Sequence, residues 1–244
     1  MTELRVAYHS PFATVYHGRA EDALTLIPKE SIDLIVTDPP YGVEWQSNRR
    51  TVKFDQIAGD GADGASREAV RNVLTECVRV VGQNRHLYVF GPTDVLEGLK
   101  VSEPVSMIWD KGMMGGGDTT AAWGPSHEPI TFAVSKFRHA GEAGKSAVPA
   151  RIRKGTILSY TRPTGRKVRH QSEKPVGLLR ELIESSSRQG ELVGDFYAGV
   201  LSTAVAAIVS GRRAVVCELV EHNVNIGIER IKRAEALYAE MVAA

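Results

Sequence analysis

Apolar positions along the chain switch repeatedly between two periods. Ile32 to Val36 is a short, nearly continuous apolar run between Ser31 and Pro39-Pro40, which predicts a buried strand. Arg19 to Ile27 follows a helical period instead, with Ala20, Ala23, Leu24 and Ile27 on one face. Strands are predicted at Thr14–Tyr16, Arg85–Phe90, Val105–Trp109, Pro129–Val134, Leu192–Asp195 and Arg213–Cys217. Helices are predicted at Ser66–Val81, Val176–Ser185, Ser202–Val209 and Val224–Met241. Ser66 is the expected N-cap of its helix, Pro175 opens the next, and Gly211 ends the one after. Trp45–Gly64 and Gly112–Gly124 are glycine-rich and lack a period, so both read as loops, and Ile157-Leu158 is a lone apolar patch in a polar stretch. Alternating strands and helices predict an α/β fold, doubly wound around a mostly parallel, Rossmann-like sheet, with no internal repeat.

Composition narrows this picture. A chain of 244 residues that is 43% hydrophobic can bury one sizeable core, so residues 1–244 are expected to form a single domain. No apolar stretch is long enough to span a membrane, and Met1 to Arg5 does not open a signal peptide. Cys77 and Cys217 lie in separate apolar segments, which predicts two buried thiols and a cytoplasmic setting. No cluster of cysteines and histidines has metal-ligand spacing, so no metal is expected. The net charge is only +1, but Arg138 to Lys174 carries ten Lys and Arg residues against Glu142 and Glu173. Such a block suits phosphate contact, and Arg151, Arg153, Lys154, Arg166, Lys167 and Arg169 are its candidate nucleic-acid-binding residues. The bland alternative is a solvated loop.

Two segments carry the chemistry. The first is Thr37-Asp38-Pro39-Pro40-Tyr41-Gly42, directly after the Ile32–Val36 strand. The prolines stop the sheet and stiffen the chain, presenting a carboxylate, backbone carbonyls and an aromatic ring. An acceptor beside a flat stacking surface suits an aromatic amine. Asn48, Arg49 and Arg50 follow on a flexible loop, which is either a plain exposed polar loop or one that closes over a bound partner. The second segment, Asp195 to Thr203, leaves a strand through a turn at Gly199 and opens a helix, and Glu218 ends the next strand. A strand, a glycine turn, a helix and an acid about twenty residues on is the layout of a nucleotide-type site, with Glu218 accepting ribose hydroxyls. A plain βαβ unit has the same outline.

Together these segments resemble the S-adenosylmethionine-dependent DNA amino-methyltransferases whose catalytic motif precedes the cofactor motif. The matching residues are Asp38-Pro39-Pro40-Tyr41, Leu87-Tyr88-Val89-Phe90-Gly91, His127-Glu128-Pro129-Ile130, His170 to Pro175, and Asp195 to Ser202. The resemblance implies catalysis by Asp38, Pro39, Pro40 and Tyr41. It implies S-adenosylmethionine held by Asp195, Phe196, Tyr197, Gly199, Ser202, Thr203, Glu218 and Lys174. It further implies double-stranded DNA as partner, with a target-recognition insertion at about 112–169. A second copy of the chain would enlarge the footprint, and a restriction–modification role is in keeping with the family. The aspartate in the catalytic motif favours adenine N6, with cytosine N4 as the alternative. Neither cysteine lies in a Pro-Cys loop, which argues against carbon-5 methylation. Val200 and Leu201 stand where the family has Ser and Gly, and Gln171 where it has Pro. The bulk of Val200 and Leu201 is expected to crowd the methionine end of the cofactor, which is the basis for a third reading, a catalytically silent DNA-binding protein of the same fold. Asp38 is expected on an exposed loop.

Overall fold

The computed structural model describes residues 2–40, 64–112, 122–135, 154–162 and 173–243. Among these residues, nine strands form one sheet: β1 (Arg5–His9), β2 (Ala13–His17), β3 (Ile32–Thr37), β4 (Val81–Phe90), β5 (Val105–Asp110), β6 (His127–Val134), β7 (Ile157–Ser159), β8 (Leu192–Asp195) and β9 (Arg213–Glu218). Their order is β1-β2-β9-β8-β3-β4-β6-β5-β7. The centre of the sheet is parallel, while β1 and β6 run antiparallel to their neighbours. The helices are α1 (Ala20–Thr25), α2 (Gly64–Val80), α3 (Val176–Ser186), α4 (Ser202–Val209) and α5 (Glu221–Ala243).

The central strands carry apolar side chains on both faces because both are covered. On one face Leu24 of α1 and Val73 and Cys77 of α2 pack on Ile35, Leu87 and Val215. On the other, Leu179 and Ile183 of α3, Ala204 and Ile208 of α4, and Val224 and Ile231 of α5 pack on Leu34, Val36, Val193 and Val216. Cys77 and Cys217 are buried free thiols, as their apolar surroundings in the sequence predict. No helix among the described residues is long and apolar enough to cross a membrane.

Connectivity places the site. From β8 the chain crosses through α4 to β9 on one side, and from β3 through α2 to β4 on the other. The boundary between β3 and β8 is therefore a topological switch point, and a crevice opens beyond the carboxyl ends of these strands.

Several elements depart from the sequence expectation. β1 and β7 were not predicted, because a short edge strand covered on one side lacks a strong apolar signal. α2 begins at Gly64, which places Ser66 inside the helix and not at its cap. β4 starts at Val81, running straight on from α2. β6 and β7 fall within residues 112–169, yet both are strands of the main sheet. Arg151, Arg153, Arg166, Lys167 and Arg169 of that segment lie outside the described residues, as do Tyr41, Asn48, Arg49 and Arg50.

Candidate active site

β3 ends at Thr37, and Asp38 follows at the carboxyl edge of the sheet. Asp38 is half-buried, not on an exposed loop, and its Oδ2 accepts a hydrogen bond from Lys174 Nζ at 2.5 Å. Lys174 is also 3.2 Å from Glu128 Oε2, and Glu128 Oε1 is 2.7 Å from Lys111 Nζ. The result is an alternating chain of four charges: Lys111, Glu128, Lys174 and Asp38. The topology brings them together: β5 ends just before Lys111, β6 begins beside Glu128, and β4 ends at Phe90, whose ring centroid lies 4.8 Å from Lys174 Nζ. Burial works against both charges, but the opposite partners outweigh it. Glu128 is held below its usual range by Lys174 and Lys111, and Lys174 is raised by Asp38 and Glu128.

Asp195, at the end of β8, joins the end of β3 to the neighbouring turn. Its Oδ1 accepts from Thr37 Oγ1 at 2.8 Å and from Tyr197 N at 3.1 Å, and its Oδ2 accepts from Thr203 Oγ1 at 2.7 Å. Burial raises its pKa to about 6, against the pull of those hydrogen bonds toward the anion. An acid raised on folding stabilises the fold below its unfolded value of about 4 and loses that contribution as pH climbs through about 6. Asp195→Asn keeps the shape and removes the buried charge. Relative to wild type, its stability should rise by on the order of 2–3 kcal/mol between pH 4 and pH 7.5 in thermal or urea melts. A difference that stays flat across that range would show that Asp195 is not raised on folding.

The turn after Asp195 has an unusual backbone. Gly199 has φ of 51°, and Leu201, with φ of 58° and ψ of 35°, is left-handed at the start of α4. A non-glycine residue in that conformation costs roughly 1–2 kcal/mol. Leu201 is fully buried and packs against Gly227 of α5, where an added Cβ would overlap the leucine side chain. The leucine is thus turned away from the crevice into α5, which corrects the expectation that it crowds a ligand; Val200 alone of the two lines the crevice. Leu201→Gly should therefore cost about 1–4 kcal/mol of stability, the lost burial less the relieved strain, and should not tighten ligand binding. Gly227→Ala should cost about 1–3 kcal/mol alone and nearly nothing in the Leu201→Gly background, as read from denaturant melts. Additive losses would mean the two positions do not share one space.

The crevice opens to solvent; Asp38, Lys174, Tyr197, Gly199, Ser202 and Thr203 are among its lining residues. Glu218, at the end of β9, sits one hydrogen bond behind the wall. Its Oε2 accepts from Gly199 N at 2.8 Å and its Oε1 from Val220 N at 2.9 Å. Burial raises its pKa. Oε1 also accepts from Asn223 Nδ2 at 3.4 Å; each carboxylate oxygen takes two donors, so the capacity Glu218 retains for a hydroxyl is at Oε2. No side chain caps α4, and its first-turn N–H groups carry the partial positive charge of a helix start. A bare glycine turn, a capless helix start and an anchored acid suit a nucleoside with a polar tail.

Not every expected residue joins the crevice. Phe196 is packed in the core with Ile35 and Cys217, because its side chain points below the sheet edge. Lys154 pairs with Glu181 of α3 at 2.8 Å. Pro39 is buried behind Asp38. The sequence reading passed over the roles of Thr37, Lys111, Glu128, Gly227 and Arg230. Thr37 and Glu128 stood within quoted motifs, and Arg230 was legible only as a cation on the inward stripe of an amphipathic helix between Gly227 and Ile231.

The N6/N4-type family described as DNA methylase matches residues 32–229. The DNA adenine methyltransferase YhdJ of Escherichia coli K12 is 24% identical over 94% of this chain and 86% of its own length. The crystal structure of M1.HpyAVI with SAM superposes with a TM-score of 0.64 at 17% identity, covering 90% of this chain and 98% of that one. The cytosine-N4-specific PvuII DNA methyltransferase gives 0.67 at 13% identity, over 98% and 95% of the two chains. These superpositions show a shared methyltransferase fold.

Proposed function

The chain belongs to the N6/N4-type DNA methylase family, and from that membership we propose that it transfers a methyl group from S-adenosylmethionine to the exocyclic N6 amine of adenine in double-stranded DNA. The observation that carries the reading is that Asp38, at the end of β3, and the Gly199 turn, after β8, line one crevice at the switch point of the sheet.

Gly199, Tyr197, Ser202, Thr203 and Glu218 would hold the cofactor. When bound, S-adenosylmethionine supplies a methyl group on positively charged sulfur. The chain's own residues prepare the acceptor. An exocyclic amine is a poor nucleophile because its lone pair is delocalised into the ring. Asp38 and the Pro39 carbonyl accept its two N–H bonds, which draws the nitrogen toward tetrahedral geometry and frees the lone pair. Lys174 holds Asp38 in orientation through Oδ2. The amine proton becomes acidic only as the new bond forms, so Asp38 works as a placed acceptor and needs no unusual basicity. Tyr41, next in the motif, stacks on the extruded base; stacking is worth on the order of 1–3 kcal/mol, comparable with the cost of flipping. The cationic segment around Arg151 to Arg169 and the Asn48–Arg50 loop meet the phosphates, and two copies of the chain would cover a longer site.

Adenine is favoured by the aspartate at position 38 and by the likeness to a DNA adenine methyltransferase. Purified protein, labelled cofactor and mixed-sequence DNA, followed by digestion to nucleosides, should give labelled N6-methyldeoxyadenosine. Labelled N4-methyldeoxycytidine would transfer the same mechanism to the other amine.

A further inference from the structure

We propose that Arg230, on the inner face of α5, is the positioning residue that fixes the shape of the cofactor loop; this rests on reading the Gly199 turn as the cofactor site. Its guanidinium lies outside the crevice, yet it makes three contacts to two segments of the crevice wall. Nη1 donates to Val200 O at 2.5 Å and to Ser202 Oγ at 2.9 Å, and Nη2 is 3.0 Å from Glu173 Oε1. Val200, Ser202 and Glu173 all line the crevice.

The placement matters because of what stands between two of those contacts. Leu201 is the left-handed residue, and Arg230 holds the residue on either side of it. Glycine would take that backbone without strain; leucine needs its neighbours tied down. Two features of α5 therefore answer the loop's composition: Gly227 makes room for the leucine side chain, and Arg230, three residues on, clamps the backbone. The third contact reaches Glu173, whose neighbour Lys174 holds Asp38. One planar, five-donor group thus sets the cofactor loop against the segment that orients the catalytic carboxylate, a task a lysine's single nitrogen cannot reproduce. The ion pair is nearly solvent-free, with side chains 10% and 6% exposed, so water does not compete for it.

Two readouts test this. In ligand-free protein, hydrogen exchange at the amides of residues 199–203 should be at least about tenfold faster in Arg230→Met than in wild type. In calorimetry, the S-adenosylmethionine Kd should rise about ten- to hundredfold, the scale of charge-assisted hydrogen bonds lost. Arg230→Lys keeps a cation against Glu173 and should melt close to wild type, yet show much of both defects. Arg233→Met, on the outer face of the same helix, should show neither. Should Arg230→Met fail to fold, Arg230→Lys carries both readouts. Loop exchange and Kd within twofold of wild type in a folded Arg230 variant would overturn the inference. Wild-type protein that binds no S-adenosylmethionine would instead overturn the proposed function, and the exchange measurement would still decide the role of Arg230.

Discussion

Asp38→Ala is expected to lower methyl transfer by about 10²–10³-fold, the scale for deleting one preorganised hydrogen-bonding group from an active site. The loss falls on kcat. In the proposed mechanism Asp38 touches the acceptor amine and not the cofactor, so the Kd for S-adenosylmethionine should change little. Positioning is the main lever available, worth roughly 7–11 kcal/mol in well-oriented systems, and Asp38 is the group that aims the nitrogen. The fold should survive, because Lys174 keeps Glu128 as a partner at 3.2 Å when Asp38 is gone. Asp38→Asn is the sharper variant: it keeps the shape and one acceptor oxygen but loses the charge that pairs with Lys174. Single-turnover rates with wild-type, alanine and asparagine forms check this, and near wild-type transfer by the alanine form would remove Asp38 from the chemistry.

Lys174→Met should damage both stability and activity. It leaves the Asp38 and Glu128 carboxylates in a partly buried site without the cation that bridges them. Breaking such a pair costs about 3–5 kcal/mol, which for a chain of this size lowers Tm by roughly 6–20 °C. The signs of the shifts define the window. Glu128 is lowered on folding, so its contribution is present above the unfolded glutamate value of about 4.3 and fades as pH falls. Lys174 is raised on folding, so its contribution is present below about 10.4 and fades as pH rises. The penalty of Lys174→Met should therefore be largest across the neutral range and shrink toward acid. Adding Glu128→Gln to Lys174→Met removes one stranded carboxylate and should restore part of the stability but not the activity, because the Lys174 contact that orients Asp38 is still missing. A stability recovery accompanied by full activity would show that Lys174 serves the fold alone.

The chemistry of the site was more legible in the sequence than its support. β3, β8, β9 and α4 were readable because each is a clean apolar run bounded by a turn; Asp195 and Glu218 end β8 and β9, Asp38 directly follows β3, and Gly199 lies in the turn before α4. The antiparallel insertion of β6 between β4 and β5 was not readable, since strand order depends on contacts distant in sequence. That same insertion puts Glu128 beside Lys174, so the charge chain was hidden with it. Leu201 misled because its effect depends on a backbone angle: in a right-handed turn its side chain would point elsewhere, whereas at φ of 58° it enters the space left by Gly227. Phe196 misled in the opposite way, because a motif position does not say which side of the strand a side chain takes.

The central claim is that this chain moves a methyl group onto adenine in DNA through Asp38. The most direct measurement pairs purified wild-type protein with the Asp38→Ala variant, each given labelled S-adenosylmethionine and duplex DNA, with label counted in the isolated adenine nucleosides. The account predicts label in N6-methyldeoxyadenosine for wild type and about 10²–10³-fold less for the variant at equal cofactor occupancy. No label in DNA from wild-type protein that binds the cofactor, or equal label from both proteins, would contradict it.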